Sequence, residues 1–194
     1  LWREERVDFE GEYYRTERAT IYERPDAQIP IYVAASGPLA ARLVGRVADG
    51  FICTSGKPME LYRTLLDAIA EGAAKVGRDP EQINRMIEIK VSYDTDLDAA
   101  RKACEWWGAL ALSSEEKTGI EDPLELERLA DADPSRAAGR FIVSTDPDEV
   151  VERIAPYVEL GFTELVFHAP GDDQARFIEL FSRDVLPRLR NRFG

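Results

Sequence analysis

At 194 residues, 44% of them apolar and 32% charged, the chain can bury one substantial core, and this balance argues against disorder over most of its length. Its 37 acidic residues outnumber the 25 basic ones to give a net charge of −12, which sets aside nucleic acid or an anionic membrane as principal partner. Two cysteines, Cys53 and Cys104, offer no disulfide framework, and one histidine, His168, offers no zinc site of paired Cys and His ligands.

A reducing, cytoplasmic setting is therefore expected, and an anionic small molecule would need a local cluster of cations. No apolar stretch approaches the roughly 18 residues of a membrane span, and no basic-then-apolar signal opens the chain. It starts at Leu1 within the charged run LWREERVDFEGEYY and is expected to be a piece of something longer. Residues 1–8 have the pattern of a helix end. VDFEGEYYRTERATIYERP follows with Gly11, alternating aromatics and a closing Pro25, the pattern of a small hairpin, so that 1–29 form a helix end plus hairpin insertion.

Residues 30–95 are expected to form β/α units. IYVAAS (31–36) is a short apolar strand, GPLAARLVGRVA a helix with Pro38 in its first turn, and DGFICT (49–54) a second strand. In MELYRTLLDAIAEGAAKVG, Leu61, Leu65, Leu66 and Ile69 fall at helical spacing and Gly77 closes the run. MIEIKVSYD (86–94) is the third strand. Residues 96–140 are expected to be a helical insertion, with one helical stretch to about Leu112 and another opened by Asp122 and Pro123. The remainder, 141–194, supplies a helix capped within Ser144–Asp148, a fourth strand in TELVFHAPG, and a closing helix in ARFIELFSRDVLPRL.

Strand and helix alternate four times, the pattern of a parallel sheet with covering helices. Either a doubly wound sheet or half of a (β/α)8 barrel has that pattern. In MIEIKVSYD, Ile87, Ile89 and Val91 share one face, and Glu88, Lys90 and Ser92 the other. Helices on both faces of an open sheet would bury that Glu and Lys, whereas a barrel lumen can put them to use at its C-terminal mouth. The expected fold is therefore α/β, the C-terminal half of a TIM barrel contributing strands 5 to 8.

Ligands of such folds gather at the C-terminal ends of strands. The candidate junctions read AASGP, TSGK, VSYD and HAPG. In TSGK, Lys57 beside a helix start is either an anion-binding cation or part of a solvated turn. Ser36 and Gly37 are either a close approach to a cofactor phosphate or a plain turn. His168 is expected to be a rim histidine hydrogen-bonded to a neighbour, Lys117 and Arg140 taken singly are surface charges, and Trp106 and Trp107 are expected as packing anchors. No Ser/His/Asp set and no GxGxxG occurs.

In order, IPIYVAASGP, VADGFICTSGK, MIEIKVSYD, EEKTGIEDP, GRFIVSTDPDE and LVFHAPGDDQARFIELF resemble the C-terminal half of the F420-dependent glucose-6-phosphate dehydrogenases, in the bacterial-luciferase-like superfamily. The resemblance runs from about Val7 to Arg190. VAASGP and ADGF carry the superfamily, and TSGK, EEKTG and GRF the subgroup. It implies a cytoplasmic homodimeric oxidoreductase of carbohydrate metabolism, moving a hydride from C1 of glucose 6-phosphate to F420 and giving 6-phosphogluconolactone.

The same resemblance implies that Thr54, Lys57, Lys117 and Arg140 bind the substrate phosphate, that Ala35, Ser36 and Gly37 hold the phosphate-bearing tail of the cofactor, and that Lys90 lies in the lumen near the sugar. It places the acid and base in the other half-barrel, leaving no catalytic residue and no metal in this chain. The half-barrel would need its N-terminal counterpart and be inactive alone. Two alternatives stay open: a luciferase-like reductase or monooxygenase using FMN or F420 on another substrate, and a half-barrel fragment without catalysis.

Overall fold

The computed structural model describes residues 1–194, whose contacts divide into two units, Leu1–Ile31 and Tyr32–Gly194. In the first, strand β1 (Val7–Glu10) pairs antiparallel with β2 (Arg15–Ala19), and the Gly11 N–H donates to the Tyr14 carbonyl at 2.9 Å to close the turn. The Asp8 carboxylate accepts the Arg18 N–H at 2.6 Å, at the point where Arg18 takes a positive φ of 49°. The hairpin matches expectation, but the helix end at 1–8 does not: residues 1–6 form no helix, and Val7 and Asp8 are already strand. A handful of charged residues without an apolar stripe cannot offset the cost of nucleating a helix.

The second unit is built on parallel strands. Strand β3 (Tyr32–Ala34) pairs with β4 (Gly50–Thr54), and β4 with the long β5 (Asn84–Tyr93). Met86–Lys90 of β5 then pairs with β7 (Glu164–His168), while Val91–Tyr93 pairs with β6 (Ile142–Ser144). Helix α1 (Pro38–Val47) joins β3 to β4, and α2 (Met59–Ala74) joins β4 to β5. Arg78, just past α2, caps the last carbonyls of α1, donating to Gly45 at 3.0 Å and Ala48 at 2.7 Å.

Between β5 and β6 lies the expected helical insertion: α3 (Leu97–Ala103), the single turns α4 (Gly108–Ala111) and α5 (Ser114–Lys117), then α6 (Pro123–Asp131) and a 3₁₀ segment, Pro134–Arg140. Asp96 and Asp122 each turn a carboxylate onto first-turn N–H groups of α3 and α6, the usual service of an N-cap aspartate. Helix α7 (Pro147–Glu159) follows β6, capped by Asp146.

Two expectations need correction. A fifth parallel strand, β6, is present; at three residues, IVS is too short to show a period. The closing helix is two helices, α8 (Gln174–Asp184) and α9 (Leu186–Phe193), separated at Val185. Pro187 explains the break, since it has no N–H to donate to the Arg183 carbonyl one turn back.

The alternation in β5 is borne out. Ile87, Ile89 and Val91 are fully buried in a core with Leu65, Ile69, Ile154 and Phe181, while Phe162 packs against Phe51 and Tyr62 at centroid distances of 6.1 and 6.0 Å. Glu88, Lys90 and Ser92 occupy the other face, where Lys90 and Ser92 are nevertheless buried.

Beyond β5, Asp94 holds Arg176 of α8 through two bonds of 2.8 Å. This pairing, helped by the Asp96 N–H, holds the Asp94 carboxyl down near a pKa of about 2, against burial, which acts the other way. A depressed carboxyl stabilises the fold above its unfolded pKa and loses that effect as pH falls through the folded value. Asp94→Asn is therefore expected to cost about 1 kcal/mol at pH 7, discounted because Arg176 is half exposed, with the difference vanishing between roughly pH 4 and 2. Urea titrations of both proteins across that range check it; a gap unchanged at pH 2 would assign the loss to something other than charge.

Candidate functional site

The loop after β4 is fastened from several sides. Gly56 adopts φ +80°, a conformation glycine takes without steric cost, and a Cβ there would stand 3.2 Å from the Arg140 carbonyl. The Tyr62 hydroxyl, from the first turn of α2, donates to the Thr54 carbonyl at 2.9 Å and accepts the Lys57 N–H at 3.1 Å. Burial pushes the Tyr62 phenol well above its ordinary pKa, so it stays protonated and can do both. The Ser55 N–H donates to the Glu88 carbonyl at 2.7 Å, and the Ser55 hydroxyl accepts the Lys90 N–H at 2.9 Å.

Lys117 arrives from the insertion. It ends the single turn α5, which a reciprocal capping box between Ser113 and Glu116 sets in place. Arg136 grips the Glu116 carboxylate with bonds of 2.8 and 3.0 Å and, with the Ser113 N–H, holds its pKa down to about 2. Glu116 is thereby committed to Arg136 rather than to the lysine next to it. Arg140 ends the 3₁₀ segment of the insertion, and its buried Nε has no hydrogen-bond partner in the protein. An orphaned buried guanidinium donor is costly and calls for an acceptor.

These positions converge. Thr54, Lys57, Lys117 and Arg140, from β4, its loop, α5 and the end of the insertion, line one cavity of about 570 Å³. Lys90 lines it too, its amine 3.4 Å from the Ser55 carbonyl and 3.8 Å from the Glu88 carboxylate. Burial lowers the Lys90 pKa; Glu88 opposes the shift, and Arg140 and Lys57 add to it.

Two further wall residues were each placed from sequence, but their pairing was not foreseen. Glu88 and His168 meet at 3.0 Å, Oε1 to Nδ1, across the pairing of β5 with β7. Edge-on contact with Trp107 at 4.6 Å and Phe141 at 5.9 Å makes His168 the packed, hydrogen-bonded rim histidine expected. Trp107 itself donates to the Pro170 carbonyl at 3.0 Å. Trp106 is no packing anchor: it is 81% exposed. The alternation that marks Glu88 as lumenal was legible, but its partner lies 80 residues away.

A second cavity, of about 200 Å³, adjoins the first, because Thr54 and Lys57 line both; its other walls include Ala35, Ser36 and Cys53. Burial pushes the Cys53 thiol up to about 12, which leaves it without thiolate character. Beside it, Gly37 opens α1: Pro38 has no N–H, no side chain caps the helix, and a Cβ on Gly37 would meet nothing within 4 Å. An uncapped helix start with open room before it suits an anionic group. No cluster of His, Cys, Asp or Glu could hold a metal ion, and no helix is long and apolar enough to cross a membrane.

The family model for luciferase-like monooxygenases matches residues 1–164. The chain belongs to the luciferase-like family. One relative, named F420-dependent glucose-6-phosphate dehydrogenase, from Beutenbergia cavernae, is 62% identical over 99% of this chain and 58% of its own length. Among solved structures, an F420-dependent secondary alcohol dehydrogenase in complex with an F420-acetone adduct superposes with a TM-score of 0.81 at 27% identity, over 98% of this chain and 58% of the other. A coenzyme F420 dependent tetrahydromethanopterin reductase from Methanopyrus kandleri gives 0.73 at 27% identity, over 94% and 58%. The chain thus spans a little over half the length of these luciferase-like proteins, and β3, β4, β5 and β7 with their helices are the four β/α units of a half-barrel.

Proposed function

We propose that this chain supplies the substrate-phosphate half of an F420-dependent glucose-6-phosphate dehydrogenase. The observation that carries the reading is the convergence of Thr54, Lys57, Lys117 and Arg140, distant in sequence, on one cavity. A sugar phosphate carries nearly two negative charges, and three cations and a hydroxyl can each give it a charge-assisted hydrogen bond. Arg140 brings a guanidinium to the cavity wall whose Nε no protein group pairs. In a chain of net charge −12 the cluster is a local exception, which suits a site for an anion.

F420, when bound, supplies the hydride acceptor. Ala35, Ser36 and Gly37 would hold its phosphate-bearing tail at the open start of α1, and the adjoining phosphate cavity would orient the sugar so that C1 faces the acceptor. The C1 hydrogen leaves with its electron pair, the C1 hydroxyl loses a proton, and 6-phosphogluconolactone results. The proton acceptor belongs to the other half-barrel, which would also cover the free edges of β3 and β7.

The test is turnover by the full-length protein. Glucose 6-phosphate with F420 is expected to be oxidised, glucose without its phosphate at a small fraction of that rate, and FMN not to substitute. Residues 1–194 alone are expected to give no turnover. Equal rates with glucose and glucose 6-phosphate would remove the basis of the proposal, and turnover with FMN would favour a flavin-dependent reductase.

A further inference from the structure

Glu88 is the only carboxylate lining the 570 Å³ cavity, where the other charged residues are Lys57, Lys90, Lys117 and Arg140. A carboxylate among them repels an anion unless it serves another part of the ligand. A phosphate dianion presents acceptors alone and is served by donors, whereas ring hydroxyls also present donors and need an acceptor. Ionised Glu88 is acceptor-only. Oε1 takes the bond to His168 at 3.0 Å and faces the Lys90 amine at 3.8 Å, while Oε2 bonds no protein group.

Register places this acceptor well. Glu88 is the β5 partner of Thr54 in β4, one strand spacing from the residue that begins the phosphate loop. On the other side, Lys90 is the partner of His168 in β7. We infer that Glu88 reads a ring hydroxyl of the sugar phosphate, with His168 and Lys90 as positioning residues that hold the carboxylate in place. This rests on the sugar-phosphate reading above and adds the specificity element that reading lacks.

The test compares glucose 6-phosphate with its 2-, 3- and 4-deoxy analogues in the full-length protein, with inorganic phosphate as competitive inhibitor. Glu88→Gln is expected to lower kcat/KM for glucose 6-phosphate roughly 10- to 100-fold, the range for a lost charged hydrogen bond. For one deoxy sugar the loss should disappear, because the hydroxyl in question is already missing. Inhibition by inorganic phosphate should be unchanged or stronger. His168→Phe should give a smaller loss at the same hydroxyl, restored in part by His168→Gln, which a general structural defect would not do.

An equal loss on all four sugars, or no loss on any, overturns the inference. If Glu88→Gln does not fold, His168→Phe decides, and an unselective loss there overturns it as well. Calorimetric binding of the same four sugars separates this inference from the functional reading. Glucose 6-phosphate bound with Glu88-dependent selectivity but not oxidised sinks the dehydrogenase reading alone; binding of all four sugars at one affinity sinks the Glu88 inference alone.

Discussion

Alanine at both Lys57 and Arg140 is expected to raise KM for glucose 6-phosphate by about 10³-fold, each single change by roughly 10- to 100-fold, the size of a lost charge-assisted hydrogen bond. The two differ in cause. Lys57 is exposed at a loop end whose backbone is tied to Tyr62, so its alanine variant loses a charge and little else. Arg140 buries an Nε that no protein group satisfies, so removing it relieves an unpaired donor, and the melting temperature is expected to stay near the wild-type value.

Since the phosphate is remote from C1, the loss should fall mainly on KM, with kcat changing by less than about tenfold. Inorganic phosphate should weaken as an inhibitor in parallel. Steady-state kinetics with both ligands checks this, and KM values left unchanged in both single variants would show that the cavity does not receive the phosphate.

The legible part of this site lay where chemistry is local in sequence. TSGK carries its turn glycine, hydroxyl and cation within four residues, and the β5 alternation separates Ile87, Ile89 and Val91 from Glu88 and Lys90 without any tertiary knowledge. The meeting of Lys117 and Arg140 with that loop was not legible from charge patterns; resemblance to a family supplied it. Physically it depends on a capping box that orients α5, on Arg136 occupying Glu116, and on the insertion returning Arg140 to the loop, where its carbonyl faces the Cα of Gly56.

Where sequence reasoning missed, the segments were short or their fate was set elsewhere. IVS at 142–144 becomes a strand because β5 runs to Tyr93, past the end of its pairing with β7 at Lys90, and so offers Val91–Tyr93 as a template. The charged first residues show a helix-like composition but have no apolar stripe to bury. Glu88 was legible as lumenal and His168 as a rim histidine, but not as a couple, because parallel pairing of strands 80 residues apart brings them together. A reading built on cations alone therefore took in Lys57, Lys117 and Arg140 and gave no role to the one acceptor carboxylate in the same cavity.

Gly72→Ala is expected to destabilise the protein by about 3 kcal/mol, although the same change in an exposed helix usually stabilises by up to about 1 kcal/mol. The sign reverses because α1 and α2 cross in backbone contact. A Cβ on Gly72 would stand 2.2 Å from the Arg42 carbonyl oxygen, and one on Gly45 would stand 2.1 Å from that of Ile69. Neither neighbour is a side chain able to rotate away, so the helices must separate, taking buried Val44, Leu65 and Ile69 out of register. Gly139, with nothing within 4 Å of an added Cβ, is the control, and Gly139→Ala should stay within about 0.5 kcal/mol of wild type.

The contact matters beyond stability, because α1 follows Gly37 and α2 starts just after Lys57, so the separation of these helices sets the spacing of the two loops proposed to bind cofactor and substrate. At a temperature where Gly72→Ala is still folded, kcat/KM should therefore fall as well, since misplacement by about 1 Å can cost on the order of 10²-fold. Denaturant unfolding and kinetics on the same samples check both halves. An unfolding midpoint equal to wild type would mean that the helices have room to spare, and a lowered midpoint with undiminished kcat/KM would uncouple their packing from the geometry of the loops.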